Sequence, residues 1–256
     1  MIHPSSVIDP GSQLGEQVEI GPFAVIGAGV EIGDRTVIGS HTVLEGPTRI
    51  GCDNIIAPFC SLGGPPQDKK YAGEETTLVI GDRNTVREYC TFNRGTVQGG
   101  GTTEIGNDNW IMAYVHLAHD CVIGSNVVFA NGATLAGHVT VGDGTTLGAF
   151  TVVHQFCAIG QSAFTAMGTV VFKDIPPFVT ASGNTASPHG INTEGLRRAG
   201  LSQEAIMDLR RAYKVLYKKG LTVERAKEEL QGDYAGKADI EALVEFVTSS
   251  ARGIIR

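Results

Sequence analysis

The segment Ile20-Gly21-Pro22-Phe23-Ala24-Val25-Ile26-Gly27-Ala28-Gly29-Val30-Glu31-Ile32-Gly33-Asp34-Arg35-Thr36-Val37-Ile38-Gly39 places isoleucine at every sixth position, each followed by glycine. Working outward in sixes, Ile2, Ile8 and Leu14 precede it, and Leu44, Ile50, Ile56 and Leu62 follow. After a gap the step resumes at Ile80, Val86 and Phe92. After a second gap it runs from Ile105 through Ile111, Leu117, Ile123, Phe129, Leu135, Val141, Leu147, Val153 and Ile159 to Thr165 and Val171, with Thr165 the only polar member. A period of six fits neither the 3.6-residue helix nor the two-residue strand. It fits a triangular coil in which each hexad supplies one short strand and one corner, a known signature of parallel β-helices. Three hexads then make one turn, and successive turns stack as parallel strands about 4.8 Å apart.

The expected fold is mainly β with an α tail: a hexapeptide-repeat parallel β-helix over residues 1–190, then a small helical domain over 191–256. The coil itself is expected to end near Asp174-Ile175-Pro176-Pro177. The residue four after each aliphatic one faces inward near a corner and should be small. Four of the five cysteines (Cys60, Cys90, Cys121 and Cys157) occupy such slots, where a thiol packs as a small hydrophobe. No C-x-x-C spacing occurs, and the odd number argues against a disulfide framework. The two gaps, 63–79 and 94–104, are rich in glycine and polar residues and read as loops thrown out of the coil. Long loops on a rigid repeat often carry function.

Past residue 191 the period lengthens. Ser202 is placed to cap a helix running to about Tyr217, with Ile206, Leu209, Tyr213 and Leu216 on one stripe. Thr222 is placed to cap a second helix, and Ile240, Leu243, Val244 and Val247 mark a third. Residues 1–191 hold 8 Lys and Arg against 17 Asp and Glu, whereas 192–256 hold 12 against 10. Seven of those twelve cations fall between Arg197 and Lys219. This is either a solvated helix face or a surface for an acidic partner. No run of apolar residues approaches a membrane span, and Met1-Ile2-His3-Pro4 lacks the pattern of a secretory signal. The expected setting is cytoplasmic, with no membrane span and no nucleic acid as partner.

Four of the seven histidines lie in residues 116–154. Leu117, Leu135 and Val153 are 18 apart, so His116, His119, His138 and His154 come to one side of the prism from three adjacent coils. Three readings fit them: unrelated surface imidazoles, a three-histidine zinc site, or acid–base chemistry on a substrate hydroxyl.

The loop Gln67-Asp68-Lys69-Lys70-Tyr71-Ala72-Gly73-Glu74 and the segments Arg94-Gly95-Thr96-Val97-Gln98, His116-Leu117-Ala118-His119-Asp120 and Leu135-Ala136-Gly137-His138 resemble bacterial UDP-N-acetylglucosamine O-acyltransferases. So do Val153-His154-Gln155-Phe156, Pro176-Pro177 and Asn192-Thr193-Glu194-Gly195-Leu196-Arg197-Arg198, so the likeness spans essentially the whole chain. The resemblance implies a left-handed coil, a homotrimer, and transfer of a 3-hydroxyacyl chain from acyl carrier protein to the sugar 3-hydroxyl of UDP-N-acetylglucosamine, the first step of lipid A biosynthesis. In that frame His119 matches the general base, Asp120 its partner, and the Gly137 N–H an oxyanion donor. Adjacent strand residues point oppositely, so the His119–Asp120 pairing requires a corner.

Asp68, His116, His138, His154 and Gln155 match groups around the sugar and acyl head, and Lys70 matches a lysine reaching a neighbouring subunit. Asn192, Glu194 and Arg198 match residues near the nucleotide. Neither a metal nor a cofactor is implied, and the basic stretch becomes a surface for the acidic carrier protein. Two departures stand out. Ala199 replaces a frequent second arginine, and Met167 replaces the glycine that ends the acyl groove of long-chain members, implying a decanoyl-class chain. The competing readings are a trimeric zinc enzyme of the γ-carbonic-anhydrase type and a non-catalytic repeat scaffold.

Overall fold

Every stepped residue from Ile20 to Val171, Thr165 included, is buried in the computed structural model, which describes residues 1–256. Each Ile or Leu so buried contributes about 1.5–3 kcal/mol of hydrophobic stabilisation. Thr165 keeps its place because its hydroxyl bonds the Thr151 hydroxyl (2.8 Å) and accepts from the Gly148 N–H (3.0 Å). Ile8 and Leu14 are only partly covered and Ile2 is exposed, so the first coil is the open end of the stack.

The strands form three sheets of nine, eight and ten strands, the faces of a triangular prism. The first face begins with Val7–Ile8, the second with Gln13–Leu14 and the third with Glu19–Ile20. Each strand pairs in parallel with its counterpart one coil on, as Ile8 with Ile26 and Leu117 with Leu135. Between faces, the chain turns through a residue in the left-handed region. Seventeen residues other than glycine take this conformation, with φ between 53° and 69°. Such a conformation is uphill for a side-chain-bearing residue, and stacked contacts along each corner offset it.

The three corners are dressed differently. At the second corner (second to third face) Arg35 holds Asp53 and Arg83 holds Asp108 through paired hydrogen bonds of 2.7–2.8 Å. Inside that corner Asn54, Asn84 and Asn109 form a buried ladder, each amide oxygen accepting the next coil's backbone N–H. At the third corner (third to first face) Phe23, His41, Phe59, Tyr89 and Tyr114 stack with centroids 4.9–5.3 Å apart. The first corner (first to second face) carries both loops and all four clustered histidines or their strands.

The loops are shorter than the sequence gaps, because strand pairing invades both ends of the first gap and the far end of the second. Ser61–Gly64 and Thr77–Ile80 leave 65–76 as the first loop. Thr91–Asn93 and Thr102–Ile105 leave 94–101 as the second, which contains a 3-10 turn, Val97–Gly99. The coil also outlasts its expected end at Pro177. Val179–Ser182 still pairs in parallel with Phe164–Thr165, and an antiparallel strand, Ser187–Ile191, then folds over it and caps the stack.

Four helices follow: α1 (Thr193–Arg198), α2 (Gln203–Lys218), α3 (Val223–Asp233) and α4 (Ala238–Ser249). Ser202 and Thr222 cap α2 and α3 as expected, each accepting a backbone N–H three residues on. The short α1 lacks an apolar stripe long enough to show in the sequence. Leu196, Leu209, Leu230 and Val244 share a second core. Tyr213 on α2 donates to the Pro188 carbonyl (3.1 Å), tying the helices to the capping hairpin. All four cysteines assigned to inward slots are buried and unpaired, and burial pushes the Cys121 thiol up to about 12. No helix is long and apolar enough to cross a membrane.

Candidate active site

The first corner is where repetition breaks. Asp120, His138 and Phe156 are its left-handed residues in three successive coils. That conformation turns Asp120 back toward its neighbour, so the corner condition for the His119–Asp120 pair is met. His119 Nδ1 lies 2.7 Å from Asp120 Oδ2. A carboxylate only accepts, so Nδ1 carries the proton and Nε2 keeps its lone pair for the open side.

Asp120 is held from every direction. Its N–H donates to Thr103 Oγ1 (2.8 Å), its Oδ1 accepts the Thr96 N–H (2.7 Å), and its Oδ2 accepts the Thr96 hydroxyl (2.6 Å). Its side chain is 1% exposed, against 15% for His119. His138 stands edge-on to His119 (centroids 5.1 Å, 87°) and stacks flat on Phe156 at 4.4 Å. Burial holds the His138 imidazole below its ordinary range; the Asp120 carboxylate pulls it back up in part.

Gly137 sits against the His119 ring. A Cβ there would lie 2.6 Å from Cε1 and 2.8 Å from Nε2, closer than side chains tolerate. Its N–H donates to no group of the chain, while its carbonyl accepts from Phe156 N–H at 3.1 Å. This follows from the hexad turn, in which the residue before the left-handed one has no backbone acceptor. Proline fills that position at Pro22, Pro58 and Pro177, and the Asp34 and Asp82 carboxylates serve Glu16 and Cys52 there. At Gly137 the donor stays free beside the imidazole.

These groups line a cleft of about 610 Å³ formed by Gln67, Asp68, Lys69, Lys70, Thr96, Gln98, His119, His138, Gln155 and Phe156. The first loop is fixed over it by Arg94, whose Nη2 donates to Tyr71 Oη (3.0 Å) and Nη1 to the Gly63 carbonyl (2.8 Å). Tyr71 in turn donates to the Glu74 carbonyl (2.7 Å). A groove of about 670 Å³ between α3 and α4 is larger, but no histidine, lysine or arginine lines it; the chemistry lies at the corner.

Asp68, Lys70, His119, His138 and Gln155 therefore come together, with Asp120 and Gly137 directly behind them. All four histidines come to the first corner's side of the prism, as expected, but only His119 and His138 line the cleft. His116 faces outward from its strand, where its Nδ1 bonds Thr91 Oγ1 at 2.8 Å and burial lowers its pKa. His154 turns toward its neighbour's carbonyl (3.1 Å) and tilts against Phe172. Neither lines the cleft: His116 stands four residues and His154 two residues before the left-handed corner residue of its coil, whereas His119 stands next to it and His138 on it.

Asn192 caps α1 and donates to the Ser162 carbonyl (3.0 Å) at the second corner, and Glu194 pairs with Arg198 (3.3 Å). Met167, 75% exposed, stands on the third corner. The residues singled out in the sequence thus occupy three different edges of one prism. Thr96, Gln98 and Phe156 stand in segments that carry the resemblance but were given no role of their own. A step of eighteen from Asp120 through His138 reaches Phe156, the one signal that could have found it.

His119, Asp120 and His138 place one ligand atom each within 4.8 Å of one another. Both Asp120 oxygens already accept hydrogen bonds, and His119 Nδ1 is committed to one of them.

Comparisons with known proteins agree in extent. The family described as "Udp N-acetylglucosamine O-acyltransferase; Domain 2" matches residues 174–255, and the bacterial transferase hexapeptide repeat matches 11–46 and 102–137. The acyl-[acyl-carrier-protein]–UDP-N-acetylglucosamine O-acyltransferase of Thiobacillus denitrificans is 60% identical over 255 residues, covering 100% of this chain and 99% of its own. That of a Janthinobacterium strain is 59% identical at the same coverage. Among solved structures, LpxA from Acinetobacter baumannii has a TM-score of 0.97 and 42% identity, covering 100% of this chain and 99% of its own. LpxA from Bacteroides fragilis reaches 0.98 at 39% identity, with 100% of both chains covered. With relatives this similar along its full length, the chain belongs to the UDP-N-acetylglucosamine O-acyltransferase family, enzymes built on a left-handed β-helix.

Proposed function

We propose that this enzyme transfers a 3-hydroxyacyl chain from acyl carrier protein to the 3-hydroxyl of UDP-N-acetylglucosamine, the first step of lipid A biosynthesis, in the cytoplasm. One observation carries the mechanism: an imidazole with Nδ1 tied to a buried carboxylate and Nε2 free, beside an unbonded backbone N–H. An alcohol is a poor nucleophile at neutral pH. His119 Nε2 removes its proton as the oxygen attacks the thioester carbonyl. The Gly137 N–H donates to the oxyanion of the tetrahedral intermediate. Collapse breaks the C–S bond, and the imidazolium returns the proton to the leaving thiolate, which regenerates neutral His119.

Asp68, Lys70, His138 and Gln155 surround the sugar and acyl head. His116 and His154, on the same face beside the cleft, and Asn192, Glu194, Arg198 and Met167, on other edges of the prism, serve the same substrate; one copy cannot bring the latter four to the cleft. A cyclic threefold contact is heterologous and sets one edge of each copy against a different edge of the next, so the working form is a homotrimer. Of the seven cations between Arg197 and Lys219, Arg210, Lys214 and Lys218 have no carboxylate partner. They are exposed and four apart, on one face of α2. That stripe steers the acidic carrier protein.

Incubating the protein with labelled UDP-N-acetylglucosamine and a ladder of 3-hydroxyacyl carrier proteins tests this reading. Ester product with the decanoyl-class donor is expected. No product with any donor would overturn it.

A further inference from the structure

The second loop does more than frame the cleft. Residues 94–101 interrupt the repeat one coil before Asp120, and Thr96 at their centre is buried. Thr96 gives both of its donors to one carboxylate: its N–H to Asp120 Oδ1 at 2.7 Å and its hydroxyl to Oδ2 at 2.6 Å. Oδ2 is also the atom that holds His119. The same hydroxyl accepts the Gly99 N–H (3.2 Å), closing the 3-10 turn. That turn lays Gly99 flat on the carboxyl group. A Cβ at Gly99 would overlap Asp120 Cγ and both its oxygens, and its three nearest contacts are all atoms of Asp120.

We infer that Thr96 is a positioning residue for the transfer reaction, and that the loop 94–101 exists to hold Asp120 in the one orientation that presents His119 Nε2 to the substrate. The inference rests on the assignment of His119 as base. Two donors from one residue fix the carboxylate plane, because rotation about the Asp120 side chain would break both bonds together. Gly99 excludes water from the face behind it. Hydrogen bonds to an ionised group are the strong ones. In a buried site an unmet carboxylate oxygen would turn to another donor, such as His138 Nε2 at 3.6 Å. Such a turn would take the His119 ring with it.

The test compares steady-state kinetics of Thr96→Val, Thr96→Ser, Asp120→Asn, the Thr96→Val/Asp120→Asn pair and His119→Ala. Thr96→Val should lower kcat about 10- to 100-fold, with KM for the sugar nucleotide within about twofold of wild type. Thr96→Ser keeps both donors and should recover most of kcat. In the Asp120→Asn background the valine should change kcat by less than about threefold, since its effect passes through that carboxylate. Gly99→Ala should lose kcat to a similar degree and serves as the second variant if Thr96→Val does not fold. The inference is overturned if Thr96→Val turns over like wild type, if its loss is undiminished in Asp120→Asn, or if serine fails to rescue. Wild-type turnover by His119→Ala would remove the base assignment, and this inference with it.

Discussion

The third and first corners of the prism use one backbone device for opposite ends. Both turn through a left-handed residue once per coil, at Phe23, His41, Phe59, Tyr89 and Tyr114 in one and at Asp120, His138 and Phe156 in the other. At the third corner it carries Phe23, His41, Phe59, Tyr89 and Tyr114, a continuous stack on which each ring repeats the work of the last. Repetition there is a source of stability, since each offset aromatic contact is worth about 0.5–1.5 kcal/mol. At the first corner the series is interrupted by two loops and then carries Asp120, His138 and Phe156, no two alike. A ladder stabilises by sameness. A site needs a donor, an acceptor and a base in fixed relation, and the repeat provides them only where it admits insertions and unlike rungs.

That contrast can be broken or sharpened by substitution. The largest effect belongs to Gly137→Ala. Its new Cβ would press on the His119 ring, and a shift of this size should cost about 100-fold or more in kcat, with the unfolding midpoint little changed. Met167→Gly comes next. It should move donor preference toward longer 3-hydroxyacyl chains by about 10- to 100-fold, read as the ratio of kcat/KM for myristoyl- and decanoyl-class donors. Unchanged selectivity would separate Met167 from the acyl chain.

A third comparison uses paired variants. Tyr89→Ala removes two stacked contacts from the third corner and should lower stability by about 1–2 kcal/mol while kcat stays near wild type. Phe156→Ala removes the ring beneath His138 and should reverse that order, with kcat falling more than stability. Equal effects of the two would deny the division of labour between the corners.

The smallest effect lies in pH dependence. Burial lowers the pKa of His116 from 6.5, opposed only by a hydrogen bond to the Thr91 backbone. As pH falls below about 6.5 the unfolded chain takes up a proton that folded His116 resists, so stability falls with pH in that window. His116→Gln should flatten the stability curve slightly between about pH 7 and pH 5, measured by denaturant titration; an unaltered curve would leave His116 without a share in it.

Much of this was legible in the sequence. The step of six fixed the inward positions because a hexad corner leaves room for one aliphatic and one small residue and nothing else; the buried Ile56 and Cys60 are a pair of this kind. Helix α2 was readable from Ser202 and a clean stripe. The pairing of His119 with Asp120 was legible only conditionally, since strand alternation forbids it and a left-handed Asp120 permits it. Thr96, quoted only as part of a resembling segment, received no role because it reaches Asp120 across twenty-four residues through a loop outside the period. His116 and His154 were grouped with the others because counting in eighteens gives the coil and the corner of a residue, and leaves undetermined which way its side chain leaves the turn. Residues 192–198 and Met167 lie on other edges for the same reason: a period orders residues along the prism axis, and a site in one copy needs them at one edge.

The most direct test of the whole account is the single-turnover rate of acyl transfer to UDP-N-acetylglucosamine by His119→Ala against wild type, with folding verified by circular dichroism. A base with its lone pair free at Nε2 contributes about 100- to 10,000-fold, so a folded variant should lose at least that much. Transfer by folded His119→Ala within about threefold of wild type would contradict the assignment of the first corner as the seat of catalysis.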